Sequence, residues 1–444
     1  RAGEARGRVG ESVLTPVASA AEVEPGFAYR EGVLHCDQIP APAIARAVGT
    51  PTYVYSAGLV RRQYRRLDRA FAGVPHRIHY SVKANPNLGV LRLLHAEGAG
   101  VDIVSGGELY RAREAGFAGG DVVFSGVGKS ARELHEALAA GVLFVNVESE
   151  GELLLLDEVA RERGVIAPVA LRVNPEVAVD NPHEYIRTGE KGHKFGIPFD
   201  DVPRVAREAR ALPNLALVGL DMHIGSQIAS WEPYDAALAR LVALLVGVRA
   251  DGATDIRYLD VGGGLAVTYD DEAPADVERF AAGVIEATRG LDVTLVLEPG
   301  RFLVAEAGLL LTRVLFRKRS GGKEYVITDA GMNDLLRPSH YEAYHRIDAV
   351  APSGAEVVAD IVGPVCESGD FLALDRRTDD APPGALLAVR TTGAYGFSMA
   401  SNYNSRPRPA EVLVDGERFA VATERERYED LVRQERAALE WRSA

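Results

Sequence analysis

The feature that most constrains the fold of this chain is an alternation of β-rich and helical segments between His76 and Phe302. The β-rich runs are HRIHYSVKA, VDIVS, VVFSG, FVNVES, VALRVNP, LVGLDMHIGSQ, YLDVGGG and TLVLEPGRF. Between them, segments such as LGVLRLLHAEGAG carry apolar residues at helical spacing and close with glycine. Strands that alternate with helices pair in parallel through helical crossovers. Eight such units predict a (β/α)8 barrel, which usually takes about 250 residues.

The segments outside this region have a different pattern. After Leu310, strand-like runs such as KEYVITDAG and AEVLVDGERFAVA are separated by turn-forming GG and DG pairs. We therefore expect a barrel over residues 51–310 and a C-terminal β-sandwich or β-barrel domain over residues 311–444, closed by an amphipathic helix in ERERYEDLVRQERAALEW. Residues 21–50 contain a hairpin-like run, FAYREGVLHCDQ, which we expect to pair with the β domain. Residues 1–20 are predicted to form a disordered tail.

Composition argues against several classes of function. The chain has 444 residues, with 50 Lys and Arg against 63 Asp and Glu, and a formal net charge of -13. No basic block offsets this charge, which argues against a nucleic-acid or anionic-membrane surface. No run of 18 apolar residues occurs, so no membrane-spanning segment is expected. Two cysteines, Cys36 and Cys366, make no disulfide framework or zinc site, and we expect a cytoplasmic protein.

Residues suited to catalysis recur where the predicted strands end, and this end of a (β/α)8 barrel carries the active site. In chain order they are Lys83, Ser105 to Glu108, His223 with Ser226, Gly262 to Gly264, and Glu298 to Arg301. Taken singly, the glycine run could be only a tight turn, EPGR a structural salt bridge and the histidine a core residue. Together, a lysine, an anion cradle, a stacking histidine and a carboxylate describe a pyridoxal phosphate site.

Longer motifs carry a family resemblance. YSVKAN, HIGSQ, DVGGG, EPGR, CESGD and GAYG occur in this order, together with HEYIRTGEKGHKFGI, DAGMNDLLRPSHYEAYH and GAYGFSMASNYNSRPRPAEVLVDG. In these motifs the chain resembles the fold-type III pyridoxal phosphate decarboxylases of basic amino acids, and most closely the branch that acts on diaminopimelate. The resemblance extends from about Phe27 to the last predicted helix.

The resemblance implies a role for each residue of the site. Lys83 is expected to bind the cofactor covalently, His223 to stack on its ring, and Glu298 to pair with the ring nitrogen. The other residues expected at the cofactor are Ser226, Gly262, Gly263, Gly264, Pro299, Gly300, Arg301 and Tyr395. The residues expected at the substrate are Arg301, Arg337, Tyr341, Glu367 and Tyr395. Cys366 is expected to protonate the carbanion; it and Glu367 would come from the second subunit of a head-to-tail homodimer. No metal is expected.

Arg337 bears most directly on the substrate. Decarboxylases of ornithine and lysine hold the distal amine with an acidic residue, whereas an arginine would repel that amine and attract a carboxylate. We therefore expect decarboxylation of meso-2,6-diaminoheptanedioate to L-lysine and CO2, the last step of lysine biosynthesis. By itself, Arg337 could also be a surface arginine, and Cys366 a small buried hydrophobe.

Three alternative functions remain at this stage. One is an ornithine or lysine decarboxylase of the same fold. Another is a racemase, which would present a catalytic tyrosine in place of Cys366. The third is a catalytically silent paralogue that regulates a partner, against which the intact Lys83, Glu298 and Cys366 argue.

Overall fold

The computed structural model describes residues 24–177, 192–435 and 438–442. The predicted N-terminal tail and most of the HEYIRTGEKGHKFGI segment lie outside these residues. The first described elements are β1 (Phe27–Arg30), β2 (Val33–Cys36), β3 (Ile39–Pro40), α1 (Ala41–Val48) and β4 (Thr52–Ser56). The first three strands pair antiparallel and form a small sheet of their own.

A closed barrel of eight parallel strands follows. Its strands are β5 (His76–Ser81), β6 (Gly100–Ile103), β7 (Val122–Phe124), β8 (Phe144–Val147), β9 (Ala167–Asn174), then, after the two-residue β10 (Ile197–Pro198) beside β9, β11 (Leu215–Met222), β12 (Tyr258–Asp260) and β13 (Thr294–Leu297). Each barrel strand pairs with its neighbour in the sequence, and β13 pairs with β5 to close the ring. The eight predicted strands and the predicted barrel are confirmed.

Helices cover the outside of the barrel and follow local sequence signals. They are α2 (Ala57–Phe71), α3 (Leu88–Ala96), α4 (Gly106–Ala115), α5 (Ala131–Ala140), α6 (Glu150–Arg163), α7 (Val202–Ala211), α8 (Glu232–Ala250) and α9 (Val277–Ala287). Ser105, Ser130 and Ser149 accept a hydrogen bond from a first-turn N–H of α4, α5 and α6. Such a cap stabilises a helix by about 1 kcal/mol, so the serines fix where each crossover begins beside the strand ends.

The second domain is a β domain with three short helices near it in sequence. Its elements are α10 (Arg301–Val304), β14 (Gly308–Ser320), β15 (Lys323–Thr328), α11 (Arg337–Tyr341), β16 (Ile347–Ala349), β17 (Glu356–Val362), β18 (Phe371–Asp379), β19 (Leu386–Val389), β20 (Ala410–Asp415), β21 (Arg418–Thr423) and α12 (Tyr428–Leu431). The main sheet has the order β18-β17-β15-β14-β4-β20-β21, and β19 joins β14 to β16. The predicted barrel-plus-β architecture is therefore confirmed.

The N-terminal segment contributes to the β domain through β4. This strand lies between β14, to which it is antiparallel, and β20, to which it is parallel. All five residues of β4 are buried, as in a strand covered on both faces. The range 51–310 expected for the barrel therefore needs correction at its start. The β1–β2 hairpin, in contrast, packs on the domain: Leu34 N donates to the Val350 carbonyl at 2.8 Å.

The expected long closing helix is also corrected. Within the described residues after β21, only Tyr428–Leu431 is helical. The apolar side chains meant for its buried face lie in solvent, with Tyr428 76% and Trp441 89% exposed. Because a short helix without an apolar contact is marginal in water, the segment does not continue as a helix. Elsewhere in the described ranges, no helix combines the length and apolar character needed to cross a bilayer.

Candidate active site

The candidate site lies at the C-terminal ends of the barrel strands. Lys83 follows β5 in a single 3-10 turn, Val82–Ala84, and its Nζ lies 3.2 Å from Oδ2 of Asp102 at the end of β6. The Lys83 side chain is 39% exposed, whereas that of Asp102 is fully buried. Burial lowers the pKa of Lys83, but the negative charges of Asp102, Tyr395 and Glu298 outweigh it and hold that pKa above its ordinary value. The resting lysine is therefore a cation held by Asp102.

One cavity collects most of the residues predicted at the cofactor. It is lined by Ser81, Lys83, His223, Ser226, Gly264, Leu265, Glu298, Pro299, Gly300, Arg301, Phe302 and Tyr395. These residues come from the ends of β5, β11, β12 and β13 and from the loop after β19. Side chains distant in sequence thus face one space, as expected when parallel strands end at one face of a barrel.

The glycine run after β12 is required by close packing. A Cβ on Gly262 would lie 2.4 Å from the Met222 carbonyl oxygen, and one on Gly263 would lie 2.2 Å from that of Glu298. Gly262 and Gly264 also have φ angles of 70° and 103°, which favour glycine. Steric need therefore explains the glycines themselves, and it keeps this wall of the cavity free of side chains.

The neighbouring histidine has a fixed orientation and is neutral. Nδ1 of His223 accepts a hydrogen bond from Gly263 N at 3.2 Å. Burial, together with the positive charges of Arg172 and Lys83, lowers the pKa of His223 well below its usual value. An uncharged imidazole in the cavity wall presents a flat face on which an aromatic ring could stack.

The floor of the site is a buried cluster of carboxylates. One oxygen each of Asp221, Asp260 and Glu298 lies within 4.8 Å of the others. Burial, and then the charges of Asp102 and Asp260, raise the pKa of Glu298 well above its ordinary value. Burial likewise raises the pKa of Asp260 to about 7. Like charges in a low dielectric disfavour ionisation, so the floor would be stabilised by a positively charged group of a ligand.

The sequence interpretation missed three of these acids. Asp102, Asp221 and Asp260 lie in VDIVS, LDMH and YLDV, inside otherwise apolar strands. Aspartate is almost never fully buried unless it has a partner. An acid in a predicted barrel strand was therefore a usable signal of a charged site.

The rim of the site has the opposite charge. Arg301 begins α10, and its Nε and Nη2 lie 3.2 and 3.0 Å from Ser226 Oγ, while its Nη1 donates to Tyr269 Oη. Arg337 begins α11 and lies over the Tyr269 ring, 5.3 Å from its centroid. These arginines are only 6% and 7% exposed. Among the described residues, neither has a carboxylate within 4 Å of its guanidinium nitrogens. A buried cation is costly unless it is paired, so the rim calls for anionic ligands.

The remaining predicted residues fall in two places. Tyr341 ends α11, and the Arg337 guanidinium lies 5.7 Å from its ring centroid, so the two share one helical face as the spacing predicted. Cys366 and Glu367 lie in the loop between β17 and β18, are exposed, and do not line the Lys83 cavity. The backbone N–H of Cys366 donates to Asn404 Oδ1 at 2.8 Å. Cys36 is buried and free.

These observations test whether the site fits pyridoxal phosphate. The cofactor has a ring nitrogen that takes up a proton, an aldehyde that bonds to an amine, and a phosphate. The site offers a carboxylate floor, Lys83 and a neutral histidine face, and an arginine rim without acidic partners. The charges therefore match along the length of the cofactor, and the residues fit it.

The raised acid pKa values predict how the cofactor-free protein responds to pH. Between about pH 4 and 7, folded Asp260 keeps a proton that the unfolded chain releases, so stability falls as pH rises through this window. Asp260→Asn removes that loss and keeps an oxygen for the Gly262 N–H. We expect the variant to be more stable than wild type at pH 8 by about 1–3 kcal/mol, with little gain at pH 4. Denaturant unfolding at both pH values measures this; an equal difference at both would contradict it.

Comparison with known proteins agrees with this chemistry. Residues 57–305 match the family described as "Pyridoxal-dependent decarboxylase, pyridoxal binding domain". The match covers more than half of the chain. The chain belongs to this family of enzymes, and its cofactor is pyridoxal phosphate.

More similar relatives narrow the class. The chain is 49% identical to the diaminopimelate decarboxylase of Pseudomonas aeruginosa over 406 residues, which cover 91% of this chain and 97% of the relative. It is 47% identical to that of Vibrio cholerae over 408 residues, with the same coverage. The crystal structure of the Helicobacter pylori diaminopimelate decarboxylase complexed with L-lysine is 40% identical, covers 89% of this chain and 98% of that chain, and has a TM-score of 0.86. Within the family, the chain belongs with the diaminopimelate decarboxylases.

Proposed function

We propose that this enzyme decarboxylates meso-2,6-diaminoheptanedioate to L-lysine and CO2. The observation that carries the proposal is the pair of buried arginines without acidic partners. Arg301, bonded to Ser226 beside the glycine turn, serves the phosphate of the cofactor. Arg337 is then left for a second anion, which must belong to the substrate. A diamino acid with a second carboxylate supplies that anion, whereas ornithine and lysine undergoing α-decarboxylation do not.

The floor and the lysine would serve the reacting end of the substrate. Bound pyridoxal phosphate supplies an electron sink for the pair of electrons that remains on Cα when CO2 leaves. We assign the covalent attachment to Lys83. Glu298 would hold a proton at the ring nitrogen, and the neutral His223 would support the ring face. Asp102 would hold the Lys83 ammonium until the amine is needed.

The rim would serve the two anionic ends. Ser226, the turn Gly262–Gly264, and Pro299 and Gly300 next to Arg301 surround the phosphate side of the cavity. Tyr395 lies under the Arg301 guanidinium, 4.9 Å from ring centroid to Cζ, and could contact either the cofactor or the substrate. Arg337 and Tyr341 would bind the distal carboxylate.

The protonation step points to a homodimer. Loss of CO2 leaves a carbanion that must gain one proton, and we assign this donor role to Cys366, with Glu367 binding the distal ammonium. Both side chains are exposed on the loop after β17, outside the cavity of their own chain. A second subunit that presents this loop to the cavity would complete the site. Because a catalytic thiol must stay reduced, we place the enzyme in the cytoplasm.

The arginine argument gives a direct test. In Arg337→Gln, the distal carboxylate loses its charge-assisted contact, and breaking such a buried pair costs about 2–5 kcal/mol. We expect kcat/KM for diaminopimelate to fall by about 10²-fold or more, mainly through KM, with CO2 release measured from the carboxyl-labelled substrate. Arg418→Gln, on the exposed strand β21, is the control and should match wild type. An unchanged KM in Arg337→Gln would remove the carboxylate-binding role from the proposal.

A further inference from the structure

His345 lies behind Arg337, outside the cavity lining, and its two ring nitrogens have different partners. Nδ1 lies 2.8 Å from the Arg390 carbonyl oxygen. A carbonyl only accepts hydrogen bonds, so Nδ1 must carry the proton and donate. Nε2 is then a lone-pair acceptor, and the Arg337 Nε–H donates to it at 3.3 Å. The Arg390 backbone thus selects the one neutral tautomer of His345 that can hold an arginine.

The surroundings of His345 keep it in that neutral form. The side chain is fully buried, and Arg337, Arg301 and Arg376 are the charged groups around it. Burial and the charge of Arg337 lower the pKa of His345 to about 3. A protonated ring would also place two N–H donors against each other at the Arg337 contact.

The contact restricts the direction in which Arg337 can bind an anion. A guanidinium offers a carboxylate two paired N–H edges, one that includes Nε and one made by the two terminal nitrogens. His345 engages Nε, so the terminal edge remains. Tyr269 stands edge-on to His345, with 5.2 Å between ring centroids, and its face packs against the guanidinium. The arginine is therefore held on its Nε side and along one face.

We infer that His345 is a positioning residue that aims the terminal edge of Arg337 at the distal carboxylate of the substrate, and thereby sets the selection for a substrate with that carboxylate. The inference rests on the proposed function, because it needs a distal carboxylate at Arg337. It goes further in assigning selectivity to a residue that touches neither substrate nor cofactor.

Two ligands that differ by one carboxylate test this inference. Decarboxylation removes the carboxyl group at the reacting carbon, so L-lysine keeps the distal carboxylate, and cadaverine is the same diamine without it. We would measure the Kd of each ligand for the holoenzyme by calorimetry. Wild type should bind L-lysine at least about tenfold more tightly than cadaverine, since a charge-assisted pair is worth about 1.5–3 kcal/mol.

Three variants separate positioning from a structural role. His345→Phe keeps the ring and its packing but lacks the acceptor, and should reduce the lysine-to-cadaverine preference about tenfold while cadaverine binding stays unchanged. His345→Gln, which places an acceptor near the former Nε2, should recover most of the preference. The control is His79→Phe, because His79 is also buried and also bonded through Nδ1 to a carbonyl, at Val101. It should keep the wild-type preference.

The possible failures are distinguishable. Equal binding of the two ligands by wild type would overturn the carboxylate site of the proposed function and this inference with it. A wild-type preference that persists in His345→Phe would overturn the inference alone. An equal loss of both ligands in His345→Phe and His345→Gln would show a merely structural residue and would also overturn it.

Discussion

Lys83→Ala is expected to abolish turnover, with a loss of about 10⁴-fold or more, because the chain then lacks the amine that bonds to the cofactor. The position of Lys83 supports this expectation: it stands at the end of β5, beside Asp102, with the carboxylate floor below and the arginine rim above. The variant should also lose the visible absorbance of covalently attached cofactor. Borohydride reduction should leave the mass of its Lys83 peptide unchanged, whereas the wild-type peptide should gain the mass of the cofactor.

A matched variant separates covalent chemistry from charge. Lys83→Arg keeps a cation opposite Asp102, so the buried carboxylate retains a partner and the fold should persist. It cannot form the covalent bond, and we expect it to be as inactive as Lys83→Ala. Turnover near the wild-type rate in either variant would remove Lys83 from the mechanism.

Cys366→Ala is expected to lower kcat by about 10²–10⁴-fold, the usual effect of losing a positioned proton donor. Cofactor absorbance should be unaffected, because Cys366 does not line the cavity that holds the cofactor residues. Cys36→Ala is the control, since that thiol is buried between the small N-terminal sheet and the β domain. A Cys366→Ala enzyme with wild-type kcat would assign proton donation elsewhere.

Mixing two inactive variants tests whether the site is shared. In a heterodimer of Lys83→Ala and Cys366→Ala subunits, one of the two sites has an intact Lys83 from one chain and an intact Cys366 from the other. Random exchange should therefore restore up to about a quarter of wild-type activity. No recovery, after subunit exchange has been verified with differently tagged chains, would contradict the shared site.

The barrel could be predicted from the sequence because its signals are local. Each strand is a short apolar run, each crossover repeats at helical spacing, and serines and glycines mark the helix ends. The position of β4 could not be predicted in this way. TYVYS is as apolar as a barrel strand, and its pairing with β14 and β20 is set by contacts more than 250 residues away in sequence. The closing helix failed for a related reason, since a periodic pattern does not show whether a surface is present to cover it.

The candidate site divides in the same way. Lys83, His223, Glu298 and Arg301 were predictable because each stands at a strand end within a distinctive motif. The carboxylate floor depends on which strand residues point inward at one depth, and the role of His345 depends on the carbonyl of Arg390, 45 residues away. Those relations exist only in the folded chain. The sequence nevertheless contained a partial signal in the aspartates of the apolar strands.

The measurement that tests the central claim most directly is CO2 release by the purified enzyme with pyridoxal phosphate, offered meso-diaminopimelate, L-ornithine and L-lysine in parallel. We expect release from diaminopimelate, with one L-lysine formed per CO2, and kcat/KM values for the other two lower by at least about 10²-fold, because neither places a carboxylate at Arg337. Comparable release from ornithine or lysine would contradict the account of the arginine rim, even with the cofactor and the fold unchanged.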